Sequence, residues 1–259
     1  MTVIEPTRDQ VLAFCAASPV ERVFLEDVAR RGLGRFAGVE SEHGELRALC
    51  HAGANVVPSG AGCAVFAKVV SSAPGRMLIG ESAAVGELWD AARDALPRPR
   101  EDRPHQPVYA ISEPPEPGET GLRPATRDDV ERLLPACAAA HALELGVDQL
   151  ARDPEGFRWR TMTQIDEGRS WLWLEDDVVR FKAEASAWTA GAVQVSQVWT
   201  DPEARGHGYA TRALRDLCRL LLETTPTVTL FVRTDNAPAI SLYERIGMEQ
   251  ALEYRTILF

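Results

Sequence analysis

No run of apolar residues in this 259-residue chain approaches the roughly 20 needed to cross a bilayer, so a membrane span and a membrane partner are excluded as readings. The opening residues, MTVIEPTRDQ, lack both a basic start and an apolar core, so the expected location is the cytoplasm. Positive charge is also scarce: 28 Lys and Arg stand against 38 Asp and Glu, a net charge of -10. That balance gives no general attraction to phosphate backbones, and no nucleic-acid partner is expected. Cysteine is sparse and dispersed. Cys15, Cys50, Cys63, Cys137 and Cys218 form no C-x-x-C pair, so they read as buried thiols rather than a zinc site or redox couple. His43, His51, His105, His141 and His207 form no H-x-x-x-H ladder, and no metal is expected.

With 45% apolar and 25% charged residues, the composition is that of a globular chain of one large or two ordinary domains. Prolines 97, 99, 104, 107, 114, 115, 117 and 124 crowd one window. Because proline fixes φ and removes a donor, that stretch should be neither continuous helix nor central strand. Its acidic core, 113–121, reads as a linker between a first domain at 1–112 and a second at 122–259.

The second domain reads α, β, β, β, α, β, α, β. A helix begins near Thr126 and carries Val130, Leu133, Leu134 and Cys137; a hairpin turns at Asp176-Asp177; a strand over 192–200 precedes a glycine turn and an apolar helix over 210–223. A strand over 227–233, a helix over 238–246 and a strand over 254–259 complete it. The first domain repeats the order more faintly, with helices at 11–16 and 20–30, strands at 35–40, 46–51 and 55–57, and a glycine turn at 59–62. A helix through Val70, strands at 76–79 and 108–111 and a helix over 84–95 complete that copy. The fold class expected is α+β, two tandem copies of one architecture, each a mixed, mainly antiparallel sheet flanked by helices. Trp159, Trp171, Trp173, Trp188 and Trp199 are assigned to packing.

The informative stretch is Val195-Ser-Gln-Val-Trp-Thr-Asp-Pro-Glu-Ala-Arg205-Gly-His-Gly-Tyr-Ala210. A glycine turn at a helix start aims several amide N–H groups one way, and the helix dipole adds partial positive charge, which makes a cradle for an anion. Gly206 and Gly208 permit close approach, and Arg205 adds a fixed cation. Neither a Walker loop nor G-x-G-x-x-G is present.

At these residues the chain resembles the GNAT family of acetyl-CoA-dependent N-acyltransferases. Arg205-x-x-Gly208-x-Ala210 fits the family's R/Q-x-x-G-x-G/A loop, and Asn236-Ala-Pro-Ala-Ile240-Ser-Leu-Tyr243-Glu-Arg-Ile-Gly247-Met fits its second signature. The resemblance covers about residues 122–259. Thr256-Ile-Leu-Phe259 and Phe181-Lys-Ala-Glu184 are similar to an actinobacterial tandem subgroup whose first half is degenerate. The resemblance implies that amides of Gly206, His207, Gly208, Tyr209, Ala210 and Thr211 hold the CoA diphosphate. It also implies that Val198, Trp199 and Thr200 pair with the pantetheine, that Asn236 bonds the same arm, and that Tyr243 protonates the departing thiolate. Edge amides suit that pairing because pantetheine carries peptide-like groups.

The reaction implied is direct attack by a neutral primary amine, of a small molecule or of a peptide or protein. An α-amine has a pKa near 8, whereas a lysine near 10.4 costs roughly 4 to 5 kcal/mol to deprotonate at neutral pH, so a base matters most for lysine-like acceptors. Some relatives place a glutamate on the strand before the asparagine, where this chain has Leu230, Phe231, Val232 and Arg233. Glu184 is the expected base, with a water relay from Gln197 as a second route and Glu144 as a binder of a cationic amine. In the first half, Ser59-Gly-Ala-Gly62-Cys-Ala64 occupies the loop position without the arginine, and no Asn-to-Tyr signature follows, so that half is expected to hold no CoA. The competing reading is an acyl-CoA-binding sensor without turnover. The oligomeric state is left open, a homodimer included.

Overall fold

The computed structural model of the chain describes residues 2–72 and 75–259. Helices α1 (Arg8–Ala16) and α2 (Pro19–Arg30) come first. Thr7 Oγ1 accepts the Gln10 N–H at 3.3 Å and the Gln10 carboxamide accepts the Thr7 N–H at 2.9 Å, a reciprocal cap that uses donors the first turn leaves free. Strands β1 (Arg35–Glu40), β2 (Leu46–Ala52) and β3 (Val56–Gly60) follow, then a 3-10 turn over Cys63–Phe66, α3 (Ala67–Ser71), β4 (Met77–Glu81), α4 (Ser82–Ala92) and β5 (Glu101–Ile111). The second half contains β6 (Arg123–Pro124), α5 (Val130–Leu145), α6 (Gln149–Arg152), α7 (Pro154–Asp166), β7 (Ser170–Glu175), β8 (Val178–Trp188) and β9 (Val193–Thr200). It ends with α8 (Tyr209–Leu222), β10 (Val228–Phe231), α9 (Ala237–Arg245) and β11 (Glu249–Leu258).

The eleven strands among the described residues join one sheet in the order β1-β2-β3-β4-β11-β5-β10-β9-β8-β7-β6. The order has an internal symmetry: the last strand of each half lies against the penultimate strand of the other. Thus β11 pairs with β4 from Tyr254↔Glu81 to Leu258↔Met77, and β5 pairs with β10 from Val228↔Ile111 to Phe231↔Val108. The division at 112 is therefore one of chain order; the sheet runs unbroken across it.

The exchange corrects the expectation that the proline window holds no central strand, because β5 lies between β11 and β10 and contains Pro104 and Pro107. Pro104 sits where the β5–β11 register slips between Gln106 and Arg103. Pro107 accepts from Val232 N–H at 3.1 Å, so its donorless nitrogen faces the run-out of β10 beyond its last pair. A second correction is α7, which was not expected. Its buried face is Phe157, Thr161 and Ile165, and the threonine at the centre of the stripe hides the period. The usable signal was Asp153-Pro154: Asp153 Oδ1 accepts the Gly156 N–H at 3.0 Å, and proline occupies the first helical turn.

Helix α8 buries Ala213, Leu214, Leu217, Cys218 and Leu221 against the sheet. Its outer face is covered by the 113–121 segment. Asp216 accepts the N–H groups of Gly118 and Thr120 at 2.7 and 2.9 Å, and Arg212 donates to Gly118 O at 2.8 Å. A Cβ on Gly118 would lie 1.9 Å from Arg212 O, so only glycine fits there. The five cysteines are free and buried. Trp171 and Trp173 pack in the core and Trp188 and Trp199 are partly buried, but Trp159, also expected to pack, is exposed. No helix among the described residues is long and apolar enough to cross a membrane.

Candidate active site

Strands β9 and β10 run parallel but pair only at Val193↔Val228 and Gln194↔Thr229. Beyond that they splay, and β9 continues with β8 alone on its other side as far as Thr200↔Phe181. One edge of β9 is thus left open. Gln197 has φ +51° and lies in a bulge between the Ser196↔Glu184 and Lys182↔Trp199 pairs, which bends the strand at the fork. The fork is a cleft of about 190 Å³, walled by Val195, Val198 and Trp199 on one arm and by Leu230 to Arg233 and Asn236 on the other. Glu144, Gln197 and Tyr243 also face it.

Past Thr200 the chain makes a 3-10 turn over Pro202–Ala204 and reaches Gly206 and Gly208, with φ +77° and +83°. A Cβ built on either glycine meets nothing within 4 Å, so side chains there would enter open space above the loop. The first amides of α8 have no intrahelical acceptor, as at any helix start, and α8 is 14 residues long. The helix start is pinned by Tyr209, whose ring stacks on Trp173 at 4.6 Å and whose hydroxyl donates to Glu175. Arg205 donates from Nε to Thr200 O at 3.3 Å. An open strand edge leading into an amide cradle fits a ligand with a peptide-like arm and a diphosphate. Asn236 Oδ1 accepts the Ala239 N–H at 3.3 Å and caps α9, which leaves its NH2 group for that arm.

The first half carries the corresponding loop after β3, with Gly60 and Gly62 at φ +87° and +88°. Here the amides are already engaged: the N–H groups of Gly62 and Cys63 both donate to Glu87 Oε2 at 2.7 Å. A Cβ on Gly62 would also lie 2.6 Å from Arg47 Nη2. A carboxylate from α4 occupies the place of an outside phosphate. Glu87→Ala leaves two amides without an acceptor and is expected to cost about 1 to 2 kcal/mol in denaturant unfolding, with Glu87→Gln in between; equal midpoints for all three would remove Glu87 from this role.

Beside the cleft, and sharing Arg103, Glu144, Ser196, Gln197 and Phe231 with it, lies a larger cavity of about 390 Å³ between the halves. Glu184 lines this cavity and not the cleft. Its carboxylate pairs with Lys182, a fully buried ammonium that also lies 3.5 Å from Cys137 Sγ. Burial pushes Glu184 up most strongly, but the Lys182 charge and hydrogen bond, with smaller help from His141 and Cys137, together hold the carboxyl below its ordinary range. Burial likewise opposes the Lys182 charge, and Glu184 and Cys137 together override it, so that pKa is raised. Glu144 behaves oppositely: burial raises its pKa despite Arg103 and Lys182, and Gln197 Nε2 donates to it. Burial, with Glu144 adding to it, pushes the Tyr243 hydroxyl well above its usual range. Burial lowers His141 to about 4, so its ring is neutral at pH 7.

The structure thus gathers Glu144, Gln197, Val198, Trp199, Asn236 and Tyr243 around one cleft, and the chain runs from Thr200 directly into the 205–211 loop. Arg103 and the first-half residues Glu21, Phe24 and Asn55 were not foreseen. They reach the site only because β5 and β11 exchange partners, which leaves no local mark in the sequence.

Residues 136–248 match the model of the Acetyltransferase (GNAT) family, and residues 34–133 that of a domain of unknown function, DUF4081. A mycothiol acetyltransferase of Nocardioides sp. is 31% identical over 143 residues, 49% of this chain and 48% of that protein. The chain spans about half the length of the curated relatives it matches. A GNAT-family acetyltransferase from Colwellia psychrerythraea superposes with a TM-score of 0.61 at 9% identity, covering 100% of both chains. A tandem GNAT protein from the clavulanic acid biosynthesis pathway does so with a TM-score of 0.57 at 14% identity, covering 98% of this chain and 97% of its own. Residues 136–248, which hold the splayed strands and the glycine loop, are thus the part of this chain that matches the GNAT acetyltransferase family.

Proposed function

We propose that this chain is an acetyl-CoA-dependent N-acetyltransferase that passes an acetyl group directly to a primary amine of a small molecule or peptide, with 122–259 as the catalytic half and 1–112 as a wall of the acceptor cavity. The observation that carries this reading is the open edge of β9, which runs from a cleft holding Tyr243 and Glu144 into the Gly206–Gly208 loop. A sensor without turnover needs the loop but not a buried tyrosine and a carboxyl of raised pKa at the same cleft, and the enzyme reading is preferred on that ground.

Acetyl-CoA, when bound, supplies the acetyl group as a thioester with a readily displaced sulfur. Amides from Gly206 to Thr211 and the Arg205 cation hold its diphosphate, and the free edge of Val198 to Thr200 aligns its arm. Glu144, at the junction of cleft and cavity, takes a proton from the incoming amine nitrogen; its raised pKa makes it a better base than the ion-paired Glu184. Glu184 then serves as a fixed negative wall of the acceptor cavity, the reverse of the roles expected from sequence. Tyr243 Oη carries the proton that the departing sulfur takes up.

Acetyl-CoA at about 100 times its Kd should stabilise the protein by ~2.7 kcal/mol, with no response to NAD, and amine addition should then release free thiol. Equal responses to the two nucleotides would end the reading. Because the active form of Glu144 is the carboxylate, kcat/KM should rise as pH climbs through its raised pKa. Glu144→Gln should abolish that limb and lower kcat/KM by about a hundredfold; an intact limb would acquit Glu144 as base.

A further inference from the structure

Besides the strand exchange, a helix ties the halves together. Helix α2 of the first half lies on β8 and β9 of the second, where Val23 packs with Ala187 and Ala192. One turn further along α2, Asp27 is 3% exposed and meets Arg169 of the second half. Arg169 Nη2 donates to Asp27 Oδ1 at 2.7 Å, and Nη1 to Oδ2 at 3.2 Å. The Trp188 N–H at the end of β8 also donates to Oδ1, at 3.3 Å, and Arg31 Nη1 lies 3.6 Å from Oδ2. Arg31 and Arg169 both reach Glu167, at 2.6 and 3.4 Å, so two cations and two carboxylates form one balanced group. A two-pronged contact between planar groups fixes angle as well as distance.

The two ends of this pin carry different walls of the acceptor cavity. Glu21 and Phe24 of α2 line the cavity, and Phe24 precedes Asp27 by three residues. On the other side the main chain of Arg169 holds two elements at once. Its N–H donates to Gln164 O at 2.8 Å at the end of α7, and its carbonyl accepts the Ala185 N–H at 2.9 Å on β8. Gln164 of α7, and Glu184 and Ser186 on either side of Ala185, line the same cavity. Asp27 and Arg169 themselves line neither the cavity nor the cleft, so they act through their neighbours. The 205–211 loop and the open edge of β9 lie in the second half alone. For stability by itself a buried ion pair is a poor device: taking two charges out of water offsets much of their attraction, and apolar residues of like volume serve as well.

We propose that Asp27 and Arg169 are positioning residues for the acceptor: by fixing α2 against the corner of α7 and β8, they set the spacing of the cavity walls between which the amine is held. This deepens the transferase reading above and rests on it.

The test uses the full-length protein with Asp27→Asn, with Arg169→Lys, and with Asp27→Leu and Arg169→Met together. Unfolding midpoint, CoA titration and thiol release are measured, the last with benzylamine, alaninamide, putrescine and D-glucosamine. Spin labels at Arg30→Cys on α2 and Trp159→Cys on α7, both exposed positions, report the distance between the walls. Asp27→Asn leaves a buried cation without its partner and should lower the midpoint, whereas the apolar pair should restore it. Even so, the apolar pair should show a shifted or broadened label distance and kcat/KM for the best amine at least about tenfold lower, because a misplacement of ~1 Å can cost a hundredfold. CoA affinity should stay within about twofold. Arg169→Lys keeps the charge, loses the fork and should show the same split in milder form; it carries the comparison if the apolar pair does not fold. A folded apolar-pair variant, or failing that Arg169→Lys, with the wild-type label distance overturns the inference, as does wild-type kcat/KM with the amine. If the wild type binds CoA but turns over none of the four amines, the label distance decides. A wild type that takes up no CoA sinks the transferase reading instead.

Discussion

Tyr243→Phe is expected to lower kcat by about a hundredfold to a thousandfold, ~3 to 4 kcal/mol in the barrier, while CoA affinity changes less than about twofold. The substitution removes one oxygen and keeps the ring, which is buried and packs against Tyr109 with centroids 5.9 Å apart. No hydrogen bond among the described residues consumes the Tyr243 hydroxyl, whereas that of Tyr109 donates to Glu244 at 3.0 Å. Burial holds the Tyr243 pKa high, so the proton stays on the oxygen throughout the working pH range and is available to a sulfur losing its acyl group. A structural role for the hydroxyl would instead lower the unfolding midpoint and leave turnover per folded molecule intact. Full kcat in the variant ends the assignment.

Gly208→Val should weaken CoA binding by more than a hundredfold. Two separable effects contribute. At φ +83° a β-branched residue is strained by about 1 to 3 kcal/mol, which lowers stability whether or not ligand is present. The added side chain also enters the open space above the loop, where no protein atom lies within 4 Å of a built Cβ. Gly208→Ala separates the two effects, since it carries most of the strain with a smaller obstruction. If the valine variant, folded by circular dichroism, titrates with wild-type affinity, the diphosphate does not rest on this loop.

The parts of the site that were legible in sequence are those made by contiguous residues. The Arg205-to-Ala210 loop, the Asn236-to-Tyr243 spacing and the turn at Asp176-Asp177 each need special backbone or capping chemistry within a few residues. The turn has φ of +51° and +63°, which short polar side chains tolerate. What could not be read depends on distant partners. The distinction between Glu144 and Glu184 rests on which of them Lys182 reaches, and that is set by the β8 register and by α5 packing over it. Glu87, which reaches the first-half loop from α4, is 24 residues away in sequence from Cys63. The central placement of β5 was masked by its own prolines, which are tolerated only because one lies at a register slip and the other where β10 ends.

The crossed-over final strands have a consequence for how such a protein can be divided. A protease nick or gene break near residue 112 that let the pieces part would break the β4–β11, β11–β5 and β5–β10 pairings and bare backbone donors and acceptors on all four strands. Raw edges of that kind invite pairing with other molecules. Neither piece is then a ready building block for fusion to an unrelated domain, and this architecture should travel through genomes as a whole.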